Sequence, residues 1–349
     1  MEEARQFLLK LKLQVSLPKK IMICLGIEST AHTFGIGIVD DKGKVLANVK
    51  DAYATETGGI IPAEAAEHHV KVCDKVIKEA LDAAKLSVKD IDLIAFSQAP
   101  GLGHTLRIGA FAARCLALSN KKPIIGINHC IAHLTIGEML TGAKDPVLLY
   151  ASGANTQVIA YEGGKYRIFG ETLDIGVGNF LDSFARYMGL GFPGGPKIYE
   201  LSLKKKKFIE LPYSVKGMDV SFGGLLTNLK QKVDSGKFSN EDLSYSVQET
   251  VFAMLLEVSE RAMAHCSKKE LLLGGGVACN KRLQEMAHKM CNDRGAKCFV
   301  PENQFLVDNG AMIAWQGLIE HQAGKRMKIS ETEIKPYQRI DEVEVSWRK

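Results

Sequence analysis

The sequence predicts an α/β chain made of two halves on one plan, and three observations carry that expectation. Short continuous apolar runs alternate with longer segments whose apolar residues recur at helical spacing, the pattern of strands and helices in turn. A three-strand meander with a small polar turn occurs twice, at residues 21–50 and 147–171. Small and polar residues collect where strands end and helices begin, which is where open α/β sheets gather ligands.

Setting Ser29 on Ser152 lays Ala31 on Ala154, Thr33 on Thr156 and Asp40-Asp41-Lys42 on Gly163-Gly164-Lys165. One offset of 123 residues (152 minus 29) therefore holds through the whole meander. The expected division is an N-terminal extension, 1–20, a first lobe, 21–145, and a second lobe, 146–349, whose tail is free to pack back on the first. At 349 residues, 46% hydrophobic and 24% charged, the chain is long enough for two cores. A net charge of +5 permits an acidic macromolecular partner without requiring one. Eight cysteines with no Cys-x-x-Cys pair, mostly inside apolar segments, point to reduced, buried thiols in a cytoplasmic protein. No apolar run approaches the roughly 18 residues of a membrane helix, so no membrane association is expected. Residues 1–20 have amphipathic spacing, but Glu2, Glu3, Lys10 and Lys12 do not suit a secretory signal.

Residues 21–27, 33–40 and 45–50 read as strands joined by the turn Glu28-Ser29-Thr30-Ala31-His32 and by Asp41-Lys42-Gly43. Residues 61–86 carry apolar side chains at 66, 70, 73, 77, 80, 81 and 84, with Pro62 near the start, which predicts one amphipathic helix or a hairpin of two. His68 and His69 on it are expected to be half-exposed. Residues 92–97 form a strand, and Gly101-Leu102-Gly103-His104-Thr105 is a tight turn into a helix that runs to about Leu118. Residues 123–127 are a short buried strand, and a helix follows from His129, capped by Asn128. Beyond the second meander, 173–179 lead into a helix with Asp182 and Arg186, then a Gly/Pro loop at 191–197. Residues 211–232 mix turn and helix signals, 245–264 form a long helix, and Leu271-Leu272-Leu273 ends in Gly274-Gly275-Gly276 before a helix. Asp308-Asn309-Gly310 stands ahead of the last helix, 311–321.

His129 and His133 are four residues apart and share one helical face, the spacing of a bidentate metal half-site. A zinc peptidase would need Glu after the first histidine as general base, but Cys130 stands there, and Glu138 is about 140° round the helix from His133. The facing Ser/Thr/Gly turns, with their free N–H groups, suit a phosphate between the halves. Asp182 is either a ribose acceptor or a solvated surface acid, Asn280 a helix cap or a ligand contact, and Asp308 a cap or a free carboxylate for a metal. Lys204–Lys207 is a solvated face or a phosphate contact.

The stretches NHCIAHL, SGANTQVIAY, GETLDIGVGNFLDSFAR, PGGPKI, LPYSVKGMDVSF, GGGVACNKRLQEM and DNGAMIAW resemble, over residues 21–347, a single family. It is the tRNA threonylcarbamoyladenosine transferase family in its archaeal and eukaryotic form, the catalytic subunit of the KEOPS complex, once called O-sialoglycoprotein endopeptidase. The resemblance implies the actin, Hsp70 and sugar-kinase (ASKHA) fold, two duplicated lobes around a cleft. It implies one iron or zinc ion on His129, His133, Tyr150 and Asp308. It further implies contacts to threonylcarbamoyl-AMP, the donor, from Tyr150, Ala151, Ser152, Gly153, Ala154, Asn155, Asp182, Gly195, Tyr199 and Asn280. Implied partners are tRNA, a separate kinase-like ATPase subunit and a small dimerising subunit, with 61–86 expected to dock partners. Lys204–Lys207 with Lys281, Arg282, Lys289 and Arg294 are the expected tRNA contacts. The chain departs from the family pattern at Ser29, His104, Ala154, Tyr199 and Gly223. A metallopeptidase and an actin-like ATPase scaffold are the rival readings.

Overall fold

The apolar runs pair into two five-stranded sheets, each flanked by helices, in a computed structural model that describes residues 21–55 and 59–348. The expected extension at 1–20 lies outside the described residues. The first sheet holds β1 (Ile23–Glu28), β2 (Thr33–Asp40), β3 (Val45–Ala52), β4 (Leu93–Ala99) and β5 (Ile124–Asn128), in the order β3-β2-β1-β4-β5. The second holds β6 (Val147–Ala151), β7 (Thr156–Glu162), β8 (Lys165–Glu171), β11 (Glu270–Gly274) and β12 (Lys297–Phe299), in the order β8-β7-β6-β11-β12. The short β9 (Val215–Lys216) and β10 (Asp219–Val220) pair with each other between them in sequence. Each sheet is thus an antiparallel meander extended by two parallel strands, and the equivalent strands begin and end 123 residues apart at Glu28 and Ala151 and at Thr33 and Thr156. The repeat inferred from sequence is a repeat of topology.

Parallel neighbours need crossovers, and helices supply them. In the first half these are α1 (Pro62–Ala84), α2 (Gly103–Asn120) and α3 (His129–Thr141). The expected helix or helical hairpin at 61–86 is a single helix, Pro62–Ala84. Its buried face is Ala65, His69, Val76, Ala80 and Leu81, one position off the face expected from periodicity. Val70, expected in the core, is 57% exposed, and His69, expected to be half-exposed, is fully buried. The second half carries α4 (Val177–Tyr187), α5 (Gly194–Ser202), α6 (Gly223–Asp234), α7 (Asn240–His265), α8 (Lys281–Asp293), the one-turn α9 (Asn303–Leu306) and α10 (Gly310–Gln322).

Helix α10, late in sequence, lies on the first sheet. Gly26 and Gly37 sit opposite each other on β1 and β2, and a Cβ on either would come within 2.2 and 2.0 Å of the backbone nitrogens of Ala314 and Ala311. Only glycine admits so close a helix. Helix α10 also packs against α3, its equivalent in the first half, so the two halves meet along these helices. Past α10 the chain crosses back over both sheets. Met327 bridges Ile124, Lys335 N–H donates to Gln98 O at 2.8 Å, and Ile340 is buried with Tyr150, Ile159 and Tyr166 of the second sheet.

The eight cysteines are free thiols, but the expectation that they are buried holds only for Cys24, Cys130 and Cys291; Cys115 is exposed and the rest are half-buried. No described helix is long and apolar enough to cross a membrane.

Candidate metal and nucleotide site

The equivalent helices α3 and α10 point their N-termini at one place, where β5 and β6 also end. Asn128 caps α3, its side chain accepting from Cys130 and Ile131 N–H, and so sets His129 and His133 on the first two turns. Asn309, and not Asp308, caps α10 by accepting from Met312 N–H at 3.0 Å. That division of labour leaves the Asp308 carboxylate free to face the histidines. Its Oδ1 is 3.4 Å from Nε2 of both His129 and His133. Tyr150, one residue from the end of β6, brings its hydroxyl within 3.0 Å of His129 Nε2. The ligand atoms of His129, His133 and Asp308 lie within 4.8 Å of one another.

Electrostatics distinguish the four. Burial opposes protonation of His129, yet the Glu28 and Asp308 carboxylates outweigh it and push the imidazole up to about 10. His133 moves down, chiefly through burial, with Asp308 opposing and the charge of His129 adding. Burial raises the Asp308 carboxyl, but the two histidines reverse this and hold it well below the usual carboxylate range. Burial also lifts the Tyr150 phenol well above its ordinary value.

A metal fits this set on one observation. Both ring nitrogens of His133 are buried without a hydrogen-bond partner among the described residues, because 3.4 Å to Asp308 is too long for one. An orphaned buried donor or acceptor costs about 1–3 kcal/mol, and a cation at Nε2 removes that cost. Glu28, which sequence reasoning passed over as turn, completes the picture. Its Oε2 accepts from His129 Nδ1 at 2.9 Å and Oε1 accepts from Thr30 N–H at 2.6 Å. A carboxylate on one imidazole nitrogen fixes the other as a metal donor. The missed signal was an acid as the last residue of a buried strand.

The peptidase reading lacks its base here. Cys130 is a buried thiol, pushed up to about 12 by burial, Glu28 is spent on His129 and Thr30, and Glu138 pairs with Arg348 at the other end of α3.

The residues expected to contact the donor nucleotide line the adjoining turns of the second half. Ser152 Oγ donates to Asn155 O and accepts from Asn155 N–H, closing the turn after Ala151. Gly178 and Asn179 N–H, at the start of α4, donate back to Ser152 O and Gly153 O. Gly153 and Ala154 are exposed, and their own N–H groups have no acceptor among the described residues, which suits an anion. Asp182 accepts from Gly194 N–H at 2.7 Å, at the start of α5, so it is no solvated surface acid; burial raises its carboxyl despite that bond. Gly195 faces open space and Tyr199 is half-buried one turn on. Asn280 caps α8 through Arg282 N–H at 2.9 Å and donates to Gln248 Oε1 at 2.5 Å. Gly275, with φ 89°, is structural, since a Cβ there would meet Ala151 O at 2.3 Å.

The expected tRNA cations separate into two kinds. Arg282 grips Glu249 at 2.6 Å, Lys289 pairs with Asp293 at 3.2 Å and Arg294 with Glu260 at 2.9 Å. These three are already neutralised, whereas Lys281 and Lys204–Lys207 have no ion pair among the described residues.

Comparison with known proteins bears on the fold and the family. Among solved structures, HypF from T. kodakarensis matches with TM-score 0.60 and 15% identity over 86% of this chain and 48% of that one. Component A of the (R)-2-hydroxyglutaryl-CoA dehydratase of Acidaminococcus fermentans matches with TM-score 0.55 and 14% identity over 86% and 99%. At such identities the likeness shows the fold alone, and it is the two-lobed actin, Hsp70 and sugar-kinase type. Among curated sequences, the tRNA N6-adenosine threonylcarbamoyltransferase of Thermococcus kodakarensis is 59% identical over 93% of this chain and all of its own length. A probable bifunctional tRNA threonylcarbamoyladenosine biosynthesis protein of Methanocaldococcus jannaschii is 55% identical over 94% of this chain and 61% of its own length. With residues 44–315 also matching the family model described as tRNA N6-adenosine threonylcarbamoyltransferase, the chain belongs to that family.

Proposed function

We propose that this chain transfers a threonylcarbamoyl group from threonylcarbamoyl-AMP to N6 of the adenosine just 3′ of the anticodon, in tRNAs that read codons beginning with A. The observation that carries the reaction is the end-to-end likeness to a curated transferase of that name. In the transfer the N6 lone pair attacks the carbamoyl carbon, the bond from that carbon to the adenylate phosphate breaks with its electrons leaving on AMP, and N6 gives up one proton. The exocyclic amine of adenine is a weak nucleophile because its lone pair is delocalised into the ring. Alignment and stabilisation of the leaving phosphate therefore fall to the protein.

One iron or zinc ion would be held by His129, His133, Tyr150 and Asp308, a set of two imidazoles, a phenol and a carboxylate that suits either metal. Such an ion supplies fixed positive charge beside the reacting carbamate. Gly153 and Ala154 N–H groups would receive the phosphate, and Asp182 and Tyr199 would receive the ribose. Asn280, whose amide hydrogen already goes to Gln248, has only its oxygen lone pair and its place in the wall left for the base.

The reading includes partner subunits. A groove between α1 and α2, lined by Ala63, Ala66, Val70, His104 and Ile108, leaves apolar surface in the open, with Phe111 65% exposed nearby. This face would dock a small helical subunit, with a kinase-like ATPase as a further partner.

Mass spectrometry of tRNA nucleosides, after incubation with the chain, its partners and threonylcarbamoyl-AMP, tests the reaction. Threonylcarbamoyladenosine is expected with the wild type; its absence overturns the transferase reading. His133→Ala should lose both product and stoichiometric metal by elemental analysis while its far-ultraviolet dichroism is unchanged. Full transfer by that variant would remove the metal from the reading.

A further inference from the structure

We infer that the loop Leu203-Lys204-Lys205-Lys206-Lys207-Phe208, which follows α5 and rests on α7 in the second half, is the surface that receives the RNA strand next to the modified adenosine. The inference rests on the transferase reading and adds to it the place where the polyanion lies. Four observations support it.

First, all six residues are exposed, with Leu203 67% and Phe208 54% exposed. Second, none of the four ammonium groups is paired with a carboxylate among the described residues, while Lys78, Arg282, Lys289 and Arg294 elsewhere all are. The nearby acid is already occupied. Asp242 accepts from the backbone N–H of Lys206 at 2.7 Å and of Lys207 at 2.9 Å, and those two bonds hold its carboxyl below the ordinary value. It thereby pins the loop through its backbone, without a side-chain ion pair to any of the four lysines. Glu200 and Glu210, which flank the loop in sequence, and Glu241, beside Asp242 on α7, make no ion pair to it among the described residues.

Third, the loop leaves one helix, α5, and is tied through Asp242 to another, α7, and both lead to the nucleotide pocket. Gly195 is nine residues before Lys204 on α5, about 13 Å at 1.5 Å per residue, and Gln248, the partner of Asn280, is six residues past Asp242 on α7, about 9 Å. Distances of that order span one or two nucleotides of an extended strand. Fourth, the cations are interleaved with aromatic rings. Lys205 lies over Tyr245 at 3.4 Å from the ring centre, and the exposed Phe208 ring packs perpendicular to Tyr245. Cations beside an exposed ring are the combination that binds unpaired RNA, through phosphate charge and base stacking.

A solvated lysine face would show the first two observations but neither of the others. The occupant is thus the single-stranded loop of a tRNA and not an acidic protein, which would not call for an exposed ring.

The test uses the full chain, an anticodon stem-loop RNA and the same stem closed by a tetraloop of unrelated sequence. The triple variant Lys204→Ala, Lys206→Ala, Lys207→Ala should bind the stem-loop about tenfold or more weakly at 0.1 M salt. Its plot of log affinity against log salt should be shallower by about 2, since each lost contact to single-stranded RNA removes about 0.7. Phe208→Ala should weaken the anticodon loop by about tenfold with the salt slope unchanged, and leave the tetraloop control unaffected. The triple lysine-to-arginine variant should bind as wild type does, and binding of AMP to all variants should be unaltered. Wild-type affinity and slope in the alanine variant overturn the surface while leaving the transferase reading in place. Failure of the wild type to bind or modify any tRNA overturns both.

Discussion

At the residue scale, the site depends on which atom of each side chain the fold has already used. Asn309 caps its helix, so the neighbouring Asp308 is free to face the histidines; Glu28 holds His129 Nδ1, so Nε2 is presented; His133 has no hydrogen-bond partner among the described residues. Replacing Glu28 with Gln removes the charge that fixes His129. Chelator competition should then show metal affinity reduced by about 10–100-fold with thermal stability little changed. A second histidine speaks to stability instead. Burial, helped by the charges of His68 and His32, depresses His69 to about 4, so the folded protein keeps it neutral while the unfolded chain protonates it below about 6.5. Stability should therefore fall as pH drops from about 6.5 to 4, by about 3 kcal/mol from this residue. Urea midpoints measured across that range should decline less in His69→Gln.

At the scale of elements, the N-termini of α3 and α10 build the centre, and glycine sets how close α10 comes. Gly37→Ala would put a methyl 2.0 Å from Ala311 N and push α10, with Asp308 just ahead of it, off the sheet. Loss of at least about 3 kcal/mol in urea unfolding, together with loss of bound metal, is expected. Gly142, which ends α3 at φ 78° in open space, is the contrast: alanine there should cost only about 1 kcal/mol and spare the metal. These helices were legible in the sequence, as were the caps Asn128 and Asn280. The buried face of α1 was not, because alanine and valine at neighbouring positions satisfy two faces equally well and only packing on α2 and on strands β2 and β3 chooses between them.

For the whole molecule, the C-terminal segment is a strap that joins the halves. Arg114 donates to the side chain and carbonyl of Thr332 on the first half, at 2.7 and 2.5 Å, and Arg339 pairs with Glu171 on the second at 3.0 Å. Arg348 then reaches Glu138 on α3 at 3.1 Å and covers the rings of Tyr161 and Tyr166. Burial lifts Glu138 to about 7 although Arg348 opposes it. Since that value lies above the unfolded one, the folded state binds more protons between about pH 4.5 and 7, and this residue's contribution to stability falls as pH rises through that window. Arg348→Ala should cost about 2–4 kcal/mol near pH 8 and much less near pH 5, where Glu138 is protonated; urea midpoints at the two values would show it.

What the sequence determined by itself was local or periodic: two meanders 123 residues apart, strand and helix type, the His129 and His133 spacing, and the small polar turns at the strand ends. Those follow from side-chain period and backbone preference, which act over a few residues. The tertiary structure alone decided that α10 of the second half lies on the first sheet, that Glu28 stands behind His129, and that Arg282, Lys289 and Arg294 are spent on carboxylates while Lys204–Lys207 are not. Each of these is a pairing between residues far apart in the chain or on different helices. Nothing in a one-dimensional pattern specifies which charge meets which; closing the two halves onto each other does.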